Sequence, residues 1–259
     1  MGVDRRALSK GPGRRYPSPA SPGSRRLSTL RSIRQRLGRS PVLLHGVAGP
    51  LSLWMLASVG TRWRVEGREA LVAALAEGPV ILALWHEHLV PVALHWPSAA
   101  APITNVHATT PIARIAGLAQ ARFGPQPVAL GGAGLGATRE VMGRLRNGMS
   151  VGLAVDGPAG PRGQVRDAVL DWARASGAPV WLYAAATRAD RRLGTWDRLL
   201  WPRPWDRGVG LFRPWPVEIP RRLEPSQRED LRARLAAALD AAWAEARQMV
   251  QEQGTSPSR

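Results

Sequence analysis

Residues 79–88 read PVILALWHEH, and residues 150–162 read SVGLAVDGPAGPR. Each holds a short, unbroken apolar run that ends in polar or turn-forming residues. Apolar residues on both faces of so short a run indicate a strand buried on both sides, as in a parallel sheet. The flanking segments carry the complementary signal. EALVAALAEG (69–78) has helical spacing and closes on Gly78. Thr110 and Pro111 open a helix that runs to Phe123, with Pro111 at the favoured first position and Gly124 as the stop. PVAL (127–130) and PVWLYAA (179–185) read as strands; 135–147 and VRDAVLDWARAS (165–176) read as helices. A last helix opens on a capping box, Ser226 to Glu229, and carries Leu231, Leu235, Leu239, Ala242 and Met249 on one face. This alternation predicts an α/β fold, a mainly parallel central sheet flanked by helices.

The chain has 259 residues, which suits one α/β domain, and 44 % of them are apolar, enough for a sizeable core. It contains no cysteine. That excludes a disulfide framework, a thiolate nucleophile and Cys-ligated metal centres. The formal net charge is +17, and of 36 basic residues only Lys10 is a lysine. Together with abundant Ala, Gly and Pro, this points to a GC-rich genome. The charge is uneven: residues 1–39 carry eleven basic residues against Asp4. Such a tail is drawn to polyanions, either nucleic acid or an anionic membrane surface. With Tyr16 its only aromatic residue, a specific nucleic-acid role is disfavoured.

Composition divides the chain. Residues 1–39 form a basic, largely disordered tail rich in Pro, Ser, Gly and Arg, in which 28–38 have the spacing of a short basic amphipathic helix. Residues 40–61 contain no Asp, Glu, Lys or Arg. This hydrophobic segment is nearly long enough to cross a bilayer but is diluted by His45, Gly46, Gly49 and Pro50. It is expected to associate with the membrane, lying in the interface or dipping into it, with a true span or a buried core helix as the other readings. Residues 62–252 form the α/β domain, and 253–259 a disordered tail.

Three stretches match familiar motifs, and the predicted elements around each decide its reading. Gly148-Met-Ser150-Val-Gly152 matches the nucleophile elbow of serine hydrolases. That elbow needs strand, Ser, helix, and the order here is helix, Ser150, strand. Gly132-Ala-Gly134-Leu-Gly-Ala137 resembles a dinucleotide-binding turn, with Asp156 where a ribose-binding acid would sit, but it lies mid-chain. WHEH (85–88) sits at the C-terminal end of a buried strand, where sites of open parallel sheets gather. On an extended chain His86 and His88 share one face and Glu87 takes the other. His86 is the candidate general base, since imidazole titrates near neutrality. With no obvious third ligand, no metal site is expected. In Asp156-Gly157-Pro158-Ala159-Gly160-Pro161-Arg162, the rigid loop amides and Arg162 suit an anionic group such as a phosphate.

WHEH, the Gly-rich turn, DGPAGPR, ASGAPVWLY (175–183) and TWDRLLWPRPWDR (195–207) follow one another in an order that resembles the lysophospholipid acyltransferase superfamily. The branch catalogued as domain of unknown function 374 is most similar, over about residues 45 to 220. This chain has Thr109, Thr110 and Pro111 where that branch carries an acidic DGE segment, GGAGLGA where it has GSSxRGG, and Ala159 where it has arginine. No acid follows His86 five positions on; Pro91 is there.

The resemblance implies transfer of a fatty acyl group from a thioester, on coenzyme A or acyl carrier protein, to a hydroxyl of a lyso-lipid or related acceptor. In that reading His86 is catalytic. Asp156, Gly157, Pro158 and Arg162 bind substrate, a glycine-rich loop stabilises the oxyanion, and no cofactor or metal is needed. The acid that orients His86 is missing, with His88 and His107 as weak substitutes. The implied location is the cytoplasmic face of a bacterial inner membrane, peripheral or monotopic, aided by Trp196, Trp201, Trp205 and Trp215. The main alternative is a non-catalytic lipid-binding relative; an NAD(P)-binding protein using the 132–137 turn is the more distant one.

Overall fold

A computed structural model describes residues 41–60, 62–129 and 135–255. The expectations for the basic tail, for Gly132 and Gly134 and for the last four residues lie outside this range. Helix α1 spans Pro41–Val59. The remaining elements are β1 (Trp63–Glu66), α2 (Arg68–Glu77), β2 (Ile81–Leu84), a 3-10 turn (His86–His88), α3 (Leu89–His95), β3 (Ile103–His107), α4 (Pro111–Ala121), β4 (Gln126–Ala129), α5 (Leu135–Arg146), β5 (Ser150–Ala154), α6 (Ala168–Ser176), β6 (Val180–Thr187), β7 (Gly208–Trp215) and α7 (Pro225–Thr255).

The strands form one seven-stranded sheet in the order β1-β7-β6-β2-β5-β3-β4. The five strands from β6 to β4 are mutually parallel; β7 runs antiparallel to β6, and β1 parallel to β7. The sheet is therefore mainly parallel and flanked by helices, as expected. Its alternation separates two cores. Ile81 and Ala83 of β2 pack with Val141, Leu145, Val169, Leu170 and Leu235 from α5, α6 and α7. Leu82 and Leu84 pack on the other face with Leu71 of α2 and Val92 of α3. Each fully buried side chain of this size contributes about 1.5–3 kcal/mol. β1, α3, β3 and β7 were not anticipated. β1 is only four residues long, and in β7 (GVGLFRPW) the Gly and Pro residues blur the strand signal.

Two end details differ from expectation. Gln227, rather than Glu229, reaches back to cap α7: its Oε1 accepts the Glu224 N–H at 3.0 Å, and Arg228 N–H donates to the Glu224 carbonyl at 3.0 Å. The helix thus begins at Pro225, a residue ahead of Ser226. It also runs to Thr255, into the segment assigned to the C-terminal tail.

Helix α1 is apolar on every side, but its faces differ. Ala48, Met55 and Val59 pack against Val90 and Ala93 of α3 and Ala119 of α4. Ser52 Oγ bonds the carbonyls of Ala48 (2.7 Å) and Ala119 (3.2 Å), so its hydroxyl is satisfied inside that contact. The opposite face exposes Val42 (80 %), Leu43, Val47, Leu53 (70 %) and Leu56. By length and composition Val42–Val59 is able to cross a membrane. One of its faces, however, is committed to the α/β domain.

Candidate functional site

The C-terminal ends of β2 and β5 lie side by side, with Leu84 paired to Ala154 and the Val155 N–H bonded to the Leu84 carbonyl at 2.9 Å. This parallel register brings Asp156 next to His86. Asp156 Oδ1 accepts the His86 N–H at 2.9 Å. Its carboxyl is 1 % exposed, and Oδ2 has no hydrogen-bond partner. Burial pushes its pKa up against the pull of the His86 and loop N–H groups. Asp156, expected to line a substrate site or bind a ribose, thus engages the His86 backbone through Oδ1, with Oδ2 left without a hydrogen-bond partner.

After Trp85 the chain leaves the sheet and turns in a 3-10 helix. Three residues per turn fan the side chains around the axis, so the expected alternation of His86 and His88 against Glu87 does not occur. His86 stays partly exposed, whereas Glu87 and His88 are buried. His86 Nδ1 lies 2.6 Å from Asp197 Oδ2. Asp197 is itself buried, and its Oδ1 accepts the Leu199 N–H at 3.3 Å. Burial raises its pKa, but hydrogen bonds from His86 and Thr195 outweigh that, and the net shift is downward. A carboxylate on Nδ1 makes that nitrogen the donor and leaves Nε2 with a free lone pair. The carboxylate on the His86 ring is thus that of Asp197, in the TWDRLLWPRPWDR segment, where the sequence offered no acid near His86. The WDR motif was the signal that could have found it.

Neither proposed substitute acts on His86. His107 Nδ1 faces its own neighbour, the Ala108 carbonyl, at 2.8 Å, and the ring packs on Gly117 of α4. His88 is fully buried, and its pKa falls to about 3 through burial and the charges of Arg192 and Arg162. At the position of the branch's acidic segment, Thr110 caps α4 by accepting the Ala113 N–H at 3.3 Å.

Glu87 joins three segments. Its Oε2 takes Arg162 Nη2 at 2.8 Å and Arg192 Nη1 at 2.6 Å, and its carbonyl takes the Leu200 N–H at 2.9 Å. Arg162 therefore stands at the site sharing one carboxylate oxygen with Arg192. Arg166 holds the 157–163 loop, donating to the carbonyls of Asp156 (3.3 Å) and Gly160. Gly157 and Gly160 adopt φ of 72° and 69°. A Cβ on Gly157 would lie 2.6 Å from Arg166 Nε, and one on Gly160 2.7 Å from the Trp196 ring. Pro158 is exposed on this loop. Trp196 closes the outer side, its ring 5.1 Å from that of His86. Ser150 of the elbow-like motif is buried, its Oγ accepting the Val80 N–H at 3.1 Å. Among the described residues no group of three or more His, Asp or Glu side chains is placed to hold a metal ion.

No family model matches the chain. No curated protein sequence matches it either. Among solved structures, it is similar to a 1-acyl-sn-glycerophosphate (LPA) acyltransferase, PlsC, from Thermotoga maritima, at 16 % identity over 85 % of this chain and 90 % of that one, with a TM-score of 0.41.

Proposed function

We propose that the protein transfers a fatty acyl group from a thioester of coenzyme A or acyl carrier protein to the hydroxyl of a lyso-lipid or related lipid at a membrane surface, as a divergent relative of the domain of unknown function 374 branch. The observation that carries the reading is the His86–Asp197 pair at the C-terminal edge of the parallel sheet. It sits beside the DGPAGPR loop and the arginines of the Glu87 cluster. The non-catalytic alternative rested on a missing acid partner for His86 and on the departures at Thr109, Pro111 and Ala159; Asp197 supports the catalytic reading on the first point.

In this reading His86 Nε2 takes the proton from the acceptor hydroxyl as its oxygen attacks the thioester carbonyl. The tetrahedral intermediate collapses by breaking the C–S bond. The imidazolium then returns the proton to the leaving thiolate, giving ester and free thiol. A base so placed contributes about 10²–10⁴-fold. Asp197 is a positioning residue that selects the Nδ1–H tautomer and stabilises the imidazolium. Asp156 fixes the His86 backbone. The glycine-rich backbone N–H groups would serve the oxyanion, and Gly157, Pro158 and Arg162 the phosphate of donor or acceptor. The exposed face of α1 supports docking in the interface of the inner membrane's cytoplasmic leaflet, with the basic tail adding attraction to anionic lipid.

The test is transfer from radiolabelled long-chain acyl-coenzyme A and acyl carrier protein to a panel of lyso-lipids. Turnover lost in His86→Ala, with vesicle binding retained, is the expected result. Equal turnover in wild type and His86→Ala would remove His86 as the base. Absence of turnover with every donor, alongside lipid binding, would favour the non-catalytic relative.

A further inference from the structure

The segment that supplies Asp197 is also the segment that covers the end of α1. Leu199, two residues past Asp197, packs in the cluster formed by Met55, Val59 and Ala119. Trp201 stacks on Trp54 of α1, with centroids 3.8 Å apart and rings inclined at 16°. The Trp205 N–H donates to the Ala57 carbonyl at 3.0 Å, and the Trp205 side chain is 64 % exposed. Arg198 and Trp205 hold φ of 51° and 60°, so the segment keeps an uncommon backbone path at both places. Its contacts along α1 hold that path.

Leu53, Leu56 and Trp205 therefore share the outer surface at this end of the helix, with no charged residue between Ser40 and Thr61. Exposed Arg62, Arg203 and Arg207 border it in sequence. An apolar, tryptophan-bearing face with a cationic fringe complements an anionic leaflet, where Trp prefers the headgroup level and each nearby arginine adds attraction.

We propose that α1 and residues 196–205 form one lipid-facing unit in which Trp201 is a positioning residue, so that seating α1 on a bilayer orders the segment that holds Asp197 against His86. The inference rests on the acyl-transfer reading for its catalytic consequence, but its physical content is separate. The inner side of the segment is held by the buried Leu200, the Leu200 N–H on the Glu87 carbonyl and the Trp201 N–H on the Arg191 carbonyl, so burial of Trp205 and the outer face of α1 would fix its remaining, solvent-facing side. The dyad is then assembled best where the lipid acceptor resides.

The test uses the full chain with vesicles of phosphatidylcholine and phosphatidylglycerol, in wild type, Trp201→Ala and Trp201→Phe. Amide exchange over 195–205 and turnover of a water-soluble short-chain acyl-coenzyme A are the two readouts. In wild type, vesicles should slow exchange about tenfold and raise kcat several-fold with little change in KM. Trp201→Ala should sediment with vesicles as before yet lose both responses, and Trp201→Phe, which can still stack, should restore them. Unchanged exchange in wild type on vesicle binding overturns the proposal, as do equal responses in wild type and Trp201→Ala. An exchange response without turnover from any thioester would leave the lipid coupling standing and remove the acyl-transfer reading instead.

Discussion

Asp197 Oδ2 and His86 Nδ1 lie 2.6 Å apart across 111 residues of chain. Both belong to turns outside the sheet, and each is held by something else: His86 by the Asp156 carboxylate on its N–H, Asp197 by the Leu199 N–H and the cluster around α1. The geometry of the pair is thus set by the Asp156 carboxylate and the Leu199 N–H as well as by the two side chains themselves.

Replacing Asp197 by Asn preserves shape while removing the charge that favours the Nδ1–H tautomer. The expected loss in kcat is about 10²–10⁴-fold, with KM nearly unchanged. Because the two residues act as one unit, His86→Ala combined with Asp197→Asn should be no worse than His86→Ala alone. Steady-state rates of the three variants check this; additive losses would mean that Asp197 works apart from His86.

Glu87→Gln leaves the nearly buried Arg192 with only the more exposed Asp190 carboxylate. Breaking a fully buried pair costs about 3–5 kcal/mol, which is the upper bound here because Asp190 remains, and the more exposed Arg162 adds little. A fall in the urea midpoint should follow, partly recovered by adding Arg192→Met. Full stability in Glu87→Gln would show that the cluster does not hold the three segments together.

Gly160→Ala places a methyl group at φ 69° and against the Trp196 ring. The backbone penalty alone is about 1–2 kcal/mol. Displacement of Trp196 from His86 should also lower turnover. Gly163→Ala, with similar φ and nothing near its Cβ, should show the stability cost with less effect on rate. Equal rate losses in the two variants would contradict the contact with Trp196.

His95, the last residue of α3, is buried with Nδ1 2.7 Å from the Tyr183 hydroxyl, and burial lowers its pKa from 6.5 to about 3. A depressed pKa means that the unfolded chain binds the proton first. The stability tied to a neutral His95 is therefore complete above pH 6.5 and is lost as pH falls towards 3. Each such histidine contributes a slope of about 1.4 kcal/mol per pH unit in that window, and His88 behaves alike. Urea titrations from neutral to acidic pH should show the decline. His95→Gln should remove about one histidine's share of the slope; an unchanged slope would show that His95 is not held neutral.

Much of the architecture was legible locally. The runs at 79–85 and 150–156 are apolar on both faces, so wherever they lie they must be covered on both sides, and helical segments between strands supply the cover. His86 was legible for the same reason, as a titratable residue at the end of such a strand. The elements that escaped reading were short, like β1, or broken by Gly and Pro, like β7, so neither presents a hydrophobic period long enough to recognise.

What the sequence determined alone is the set of buried strands, the positions of their polar ends and the absence of charge along α1, since these depend on residue type and near-neighbour spacing. Tertiary structure decided the rest. The 3-10 turn after Trp85 directs Glu87 to two arginines rather than to the far side of a strand. The path of residues 196–205 over α1 brings Asp197 to His86. A sequence period reports which face of an element is apolar, but a contact across 111 residues depends on how elements pack, and no local spacing encodes that distance.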